Sequence, residues 1–540
     1  MKHFIKQGSV FIWLTGLAMS VGLLMIGGLL TLILVNGLGI FWPEPLIQFQ
    51  LKNGEVVLGE IWQKETYQVT PEAPPRERIR VKIANRDFYG LDFRWINRDD
   101  IESQQRPLDA FTIERRSWGN FFGFIDKITV RDHVIAEGPN EVRQVLPQYL
   151  REAQQLYEQI RDVQKNRIGD LNYEIEKTRR TMRRVELRER DPEKRETRLA
   201  ELQERLDRLK ARYQELEEEL VRLEERGQSY LANLRTVDGQ TKTLGLMQIV
   251  RAYQPNQLSS MSKAKIYISR LWEFLSDEPR ESNTEGGVLP AIFGTVLMVI
   301  LMSIAVVPLG VVAAIYMREY AKPGPILNAV RIAVNNLAGV PSIVFGIFGL
   351  GLFIYTIGGT IDRLFFPEAL PTPTFGTGGI LWASLTLALL TLPVVIVTTE
   401  EGLAAIPRSV REASLALGAT KFETLWRVIL PSASPSIFTG MILAVARAAG
   451  EVAPLMVTGV VKLAPSLPID GHFPYLHLDR KFMHLGFHIY DVGFQSPNVE
   501  AALPMVYTTT LLLVLIVLVL NLTAIFMRNR LRERFSISKL

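Results

Sequence analysis

Apolar residues in this chain are gathered into long runs rather than spread along it. Six of them, at about Val10 to Leu38, Ile292 to Tyr316, Leu337 to Ile357, Ile380 to Thr398, Ile437 to Val461 and Met505 to Phe526, lie near or above the ~20 residues that carry a helix across a bilayer. Each predicts a membrane-spanning helix, because lipid leaves any unpaired backbone group unsatisfied. The first run is far longer than the ~7 to 15 apolar residues of a cleavable signal, and Asn36-Gly37-Leu38-Gly39 is a poor cleavage site, so it reads as an anchor. Between the first and second spans the pattern changes twice. The segments LKNGEVVLGEIW and RIRVKIANRDFYGLDFRW alternate, with Asn-Gly and Tyr-Gly as turn signals, and predict short strands of a β-rich module. From about Glu141 to Arg226, Leu199, Leu202, Leu206, Leu209, Tyr213, Leu216, Leu220 and Leu223 step by three and four, a heptad seam.

A weaker seam runs through Leu171, Ile175, Thr178, Met182 and Val185, and Arg190-Asp191-Pro192 separates the two with an N-cap and a proline suited to a first turn. An antiparallel hairpin, each seam covering the other, is the economical arrangement, and an intermolecular coiled coil is its competitor. A first arm of some 45 to 50 residues would project on the order of 70 Å. Residues around Leu234 to Tyr253 alternate again and can complete the β module. The expected architecture is an α-helical integral membrane protein with six transmembrane helices and an extramembrane α+β insert. Residues 1–40 carry the N-terminus and first span, 41–285 the insert with its hairpin at about 141–227, 286–530 five further spans, and 531–540 a tail.

Charge orients these spans. Lys2 and Lys6 precede the first, Arg318, Lys322 and Arg331 lie between the second and third, and Arg528, Arg530, Arg532 and Arg534 follow the last, so the positive-inside rule makes both termini cytoplasmic. The polar loop at about 400–431 then also lies inside and the insert outside. The formal charge of +5 follows from the same clusters, and no zinc finger, helix-turn-helix or aromatic-basic platform points to nucleic acid. The absence of cysteine permits an oxidising compartment without requiring one. Six histidines without metal-ligand spacing, and no nucleophile elbow, leave no candidate for catalysis, metal or cofactor. Gly418-Ala419-Thr420-Lys421 lacks the glycine-rich lead-in and preceding strand of a phosphate-binding loop, so the chain does not hydrolyse ATP itself.

Two constellations remain. In the fifth apolar run Arg447 and Glu451 stand four residues apart, hence on one helical face, among Ala444, Ala446, Ala448, Ala449, Gly450 and Ala453, with Pro454 as an expected kink. Each charge at mid-bilayer costs about 2.5 to 3.5 kcal/mol, so the pair should face a bundle interior. Arg447 either offers a guanidinium to a passing oxyanion, with Glu451 holding it, or the two charges satisfy each other and fix helix register. Asn335-Asn336 and Gly339-Val340-Pro341-Ser342 near the third span suit a pathway lining or a structural kink equally. The second constellation is Glu412-Ala413-Ser414, Gly418 six positions after the glutamate, and Val428-Ile429-Leu430-Pro431.

That second pattern resembles the EAA loop of ABC-importer permeases, with Ser414 and Val428 in place of an Ala and an Ile. Together with NNLAGVPSIVFGIFGLG and ARAAGEVAPLMVTG, it is similar to phosphate-importer permeases of the PstA type. The resemblance covers the first span and about residues 286–530. It implies a type I ABC-importer core in which Glu412, Ala413, Gly418 and Pro431 belong to a coupling loop: a short helix, a break at the glycine and a second helix, seated on a separate ATPase. It further implies a sister permease of the PstC type, an ATPase dimer, a periplasmic phosphate-binding protein, a bacterial inner membrane, and a transport role for Arg447 and Glu451. A permease for phosphonate, sulfate or molybdate, and an envelope signalling or scaffold protein with a vestigial core, are the competing functions. The insert departs from the short first loop usual in that family.

Overall fold

The computed structural model describes residues 9–68 and 74–535; Lys2 and Lys6 lie outside them. The chain forms two compact units. One comprises Phe41–Glu273 and Arg280–Gly286, and the other Met1–Ile40, Phe274–Pro279 and Gly287–Leu540.

The first unit is built on two antiparallel sheets. Strands β1 (Ile47–Leu51), β2 (Val56–Tyr67), β3 (Arg76–Lys82), β4 (Phe93–Asn97) and β5 (Ile101–Gln105) make a sheet ordered β4-β3-β2-β1-β5. Its alternation is strict at β3, where Ile79 and Val81 enter a core with Phe49, Val57 and Ile96 while Arg78, Arg80 and Lys82 take the opposite face. There Arg78 lies 4.2 Å from the Trp95 ring, Arg80 4.5 Å from Phe93 and Lys82 5.6 Å from Trp62. An aromatic-basic platform therefore exists. It escapes the sequence because its members sit on three strands and meet only through register.

The second sheet runs β10 (Thr241–Gly245), β9 (Tyr230–Arg235), β7 (Asn120–Val130), β6 (Phe111–Arg115), β11 (Ile249–Tyr253), with β8 (His133–Glu137) beside β7. It joins strands from before and after the helical arms. Helices α1 (Pro139–Asp162) and α2 (Ile168–Arg188) follow one another through a wider π-type turn at Val163–Arg167, and α3 (Pro192–Gln228) returns. Leu171 and Ile175 of α2 bury against Leu206 and Leu216 of α3, and Arg205 reaches Glu174 at 2.7 Å. Asp191 caps α3 by accepting from the Glu193 amide, and Pro192 occupies its first position. The first arm does not project along its whole length. Val142, Leu146, Leu150 and Ala153 of α1 pack into the core of the second sheet, which leaves a rod nearer 40 Å, at about 1.5 Å per residue from Ile160 onward.

A buried ion pair ties this unit together. Arg115, 2% exposed, donates to both carboxylate oxygens of Asp87 at 2.9 and 3.0 Å, and Lys242 donates to the same group at 2.6 Å. Burial alone would raise the Asp87 pKa, but the hydrogen bonds from Arg115 and Lys242 outweigh it and hold the carboxyl below its ordinary value. Its contribution to stability is thus present above the unfolded-state pKa and is lost as pH falls through the folded-state one. Arg115→Leu should destabilise the insert by about 3 kcal/mol, because it leaves the buried Asp87 carboxylate with Lys242 alone to offset its burial. Faster hydrogen exchange in β6 and β7 would register that loss.

Among its described residues, the second unit holds six helices long and apolar enough to cross a membrane: Phe11–Gly39, Leu289–Tyr320, Ser342–Phe365, Ile380–Ala404, Lys421–Gly450 and Val499–Glu533. Met298, Met302 and Val306 of the second span, Leu387 and Val395 of the fourth, and Ala444 and Ala448 of the fifth share one core. The third and fifth spans are bounded differently from the hydropathy pattern. The third span starts at Ser342, after a turn at Ala338–Pro341, rather than at Leu337. The fifth begins sixteen residues before Ile437 and stops at Gly450, so apolar residues 452–461 are no part of it.

Candidate functional site: the coupling loop and a charged helix end

Polar residues after the fourth span fold into helix α4 (Arg408–Ala416), a turn, and a short helix at Lys421–Thr424 that leads into α5 (Leu430–Gly450), with Pro431 in its first turn. The turn is possible because Gly418 sits at φ +86°, a left-handed conformation that side chains bearing a Cβ rarely adopt. Thr420 then caps the next helix reciprocally with Glu423. Ser414 bonds Thr424 at 2.9 Å across the break, so the hydroxyl that departs from the usual alanine fixes the angle of the two arms.

Arg411 anchors the loop. It donates to Glu319 Oε1 at 2.9 Å and to the carbonyls of Leu403 and Ile406 at 2.8 and 2.7 Å, while Lys421 donates to the Glu319 carbonyl at 2.6 Å. Both cations thus hold the loop to the end of the second span. The opposite side is open: Glu412 and Ala413 are exposed, as are Leu415, Phe422, Trp426 and Leu417, the last 89% exposed. Phe422 and Trp426 stack with centroids 6.3 Å apart. The loop thus leaves a cluster of large apolar side chains uncovered by the rest of this chain.

At the same end of the unit, Arg331 pairs with Glu400. They line a cavity of about 290 Å³ with Arg318, Asn335, Glu401 and Met317, which gives Asn335 a place on a polar vestibule.

Arg447 and Glu451 are brought together, but not inside a continuous helix. Arg447 Nε lies 3.7 Å from Glu451 Oε1, and α5 ends between them: Glu451 has extended backbone (φ −78°, ψ 132°). A new short helix, α6 (Ala453–Thr458), starts with Pro454 in its first turn, so the proline opens a helix instead of kinking one. The third span seats this break through Gly346, where a Cβ would come within 2.7 Å of the Pro454 Cα. Val452 also lies against the helix start at His484–Gly486. Burial there pushes the His484 imidazole down to about 3, which keeps it neutral. Ala444, Ala448 and Ala449 are buried, whereas Leu443, Ala446 and Gly450 are exposed and Arg447 itself is 33% exposed at its side chain. The guanidinium therefore stands at the border of a face that this chain leaves uncovered. Among the described residues, no group of three or more His, Asp or Glu side chains is placed to hold a metal.

Six helices long and apolar enough to cross a membrane among the described residues, with a polar loop between the fourth and the fifth, define a multi-span membrane protein. Residues 306–537 match the family described as binding-protein-dependent transport system inner membrane component. The probable ABC transporter permease protein YqgI of Bacillus subtilis is 31% identical over 260 residues, 47% of this chain and 81% of that protein. The phosphate transport system permease protein PstA of Yersinia pestis is 33% identical over 46% of this chain and 75% of its own length. PstA of Mycobacterium leprae reaches 40% identity over 32% of this chain, and the alignment spans about half, 51%, of that relative. Among solved structures, the inward-facing methionine transporter MetNI aligns with 45% of this chain and 95% of its own, at 18% identity and a TM-score of 0.33. The chain belongs to the binding-protein-dependent transport inner membrane components, the permeases of ABC importers, and within them to the PstA type.

Proposed function

We propose that this chain is the permease subunit through which an ATP-driven importer moves inorganic phosphate across the bacterial inner membrane. The observation that carries the proposal is the arginine at a broken helix end inside a PstA-type core. A guanidinium presents a planar fork of N–H donors that matches an oxyanion, and an adjacent carboxylate keeps it oriented and limits how tightly the anion is held. The break adds a reason for the location. Where a helix stops inside a packed bundle, unpaired backbone groups can line a pathway, as in other transporters.

Energy comes from outside the chain. The exposed face of α4 and the Phe422–Trp426 pair dock on a cytoplasmic ATPase dimer, and Arg411 and Lys421 pass its movement to the second span through Glu319. The uncovered stripe of Leu443, Ala446, Arg447 and Gly450 meets a sister permease, so the substrate passes between two chains. A periplasmic phosphate-binding protein delivers that substrate on the face of the insert, and both termini remain cytoplasmic. Labelled phosphate uptake, in cells lacking their own high-affinity system and supplied with this chain and its matched partners, tests the reading. Uptake of phosphate in preference to sulfate and molybdate is expected. Assembly with the ATPase but transport only of another oxyanion would replace phosphate as the substrate.

A further inference from the structure

The first unit carries a cleft of its own. It has a volume of about 690 Å³ and runs between one face of α1, formed by Arg143, Leu146, Pro147, Leu150, Arg151 and Gln154, and Val250–Tyr253 of β11 with Gln254, Gln257, Leu258 and Ser269 beyond it. Phe111 and Leu146 give it an apolar floor, and no aspartate or glutamate lines it. That volume falls among sites that bury a ligand or a short peptide.

The walls state what fits. Strand β11 is the last in its sheet, pairing only with β6, so one edge of its backbone lies along the cleft. Gln154 covers that edge at one point, donating to the Val250 carbonyl at 2.6 Å, and the cleft continues past it toward Leu258. Arg143 and Arg151 are exposed on its rim. Apart from a bond from Arg151 Nε to the Pro147 carbonyl, their guanidiniums have no partner among the described residues. Eight residues apart on one helix, they stand about 12 Å from each other. An anionic amphiphile has one charged end and would engage one of them. An extended chain, at about 3.3 Å per residue, sets two acidic side chains four positions apart at that same spacing.

We infer that this cleft is a docking site for an extended acidic peptide segment of a partner protein, with carboxylates four residues apart on Arg143 and Arg151, apolar side chains against Pro147 and Leu258, and its backbone alongside the β11 edge. Strand addition of this kind draws affinity from main-chain bonds and specificity from alternate side chains. The insert is thereby an interaction module in its own right. It recruits a partner by sequence, independently of the permeation pathway.

A phage-displayed library of random short peptides, selected on the full chain in lipid nanodiscs, tests it. Enrichment of peptides with two acids four apart around apolar residues is expected. Their binding should weaken about tenfold or more on the double variant Arg143→Glu, Arg151→Glu, whose substitutions lie on an exposed helix face. Bound peptide should also slow hydrogen exchange at Ala252–Gln254. Selection without an acidic pattern, or equal binding to the double variant, overturns the inference. Displacement of the peptide by laurate with no protection of β11 would also overturn it, assigning the cleft to an anionic amphiphile.

Discussion

Arg447→Ala is expected to lower phosphate uptake by about tenfold to a hundredfold, with the chain still inserted and still assembled with its partners. The magnitude follows from the bond it removes. A hydrogen bond to a charged group contributes about 1.5 to 3 kcal/mol, and 1.4 kcal/mol is a factor of ten. The side chain is 33% exposed at a helix end and its nearest acid, Glu451, is 3.7 Å away, so alanine removes little packing and the fold should survive. A purely structural pair predicts something different. If the two charges only neutralise one another, the single variant leaves Glu451 unpaired and harmful, whereas Arg447→Ala with Glu451→Ala together should restore uptake. In the transport role the double variant stays inactive. Arg447→Lys separates charge from geometry: it keeps a cation but loses the planar fork, so partial uptake with weaker discrimination among oxyanions is expected. Uptake and membrane abundance measured side by side on these variants decide the matter, and normal uptake by Arg447→Ala removes the residue from the mechanism.

The membrane helices were legible because hydrophobic length is a local property: a window of ~20 residues contains its own answer. The end of the fifth span was not. Residues 452–458, VAPLMVT, are as apolar as those before them, and hydropathy has no term for the extended backbone at Glu451 that stops the helix. The charged pair was expected on one continuous helical face, whereas the helix ends between its two members. In the coupling loop, the glycine and the proline were visible because each restricts or frees a single φ angle. Its anchors were not, because Glu319 and Arg411 are separated by 92 positions and meet only after two spans have packed. The same holds for the insert. Heptad stepping marks Leu206 and Leu216 as seam residues, but nothing in that stepping shows that Val142 to Ala153 of the first arm belong to the core of a sheet. Nor does alternation along one strand show that Trp62, Phe93 and Trp95 will flank its arginines and lysine. Periodicity identifies the buried face of an element; what that face buries against is decided by the rest of the chain.

Gly418→Val should abolish transport while leaving insertion intact, and the reason can be isolated from sterics. Nothing lies within 4 Å of a Cβ placed at this residue, so any side chain has room. The obstacle is φ +86°, which a β-branched residue adopts only with strain of about 1 to 3 kcal/mol. The chain escapes that strain by rotating the turn, and the turn sets the angle between α4 and the helix that begins at Lys421. With Arg411 and Lys421 both fastened to Glu319, the altered angle turns Leu417, Phe422 and Trp426 away from the direction in which they now point. Substitutions at this position should therefore rank by tolerance of the left-handed region and not by size. Asparagine, larger than alanine but at ease with positive φ, should retain more activity than alanine, and valine least. Co-purification of the ATPase and phosphate uptake, measured for the three variants, should fall in that order together. A ranking by side-chain volume would mean that the exposed side of the turn is itself pressed against the partner, and the glycine would then be required for contact and not for conformation.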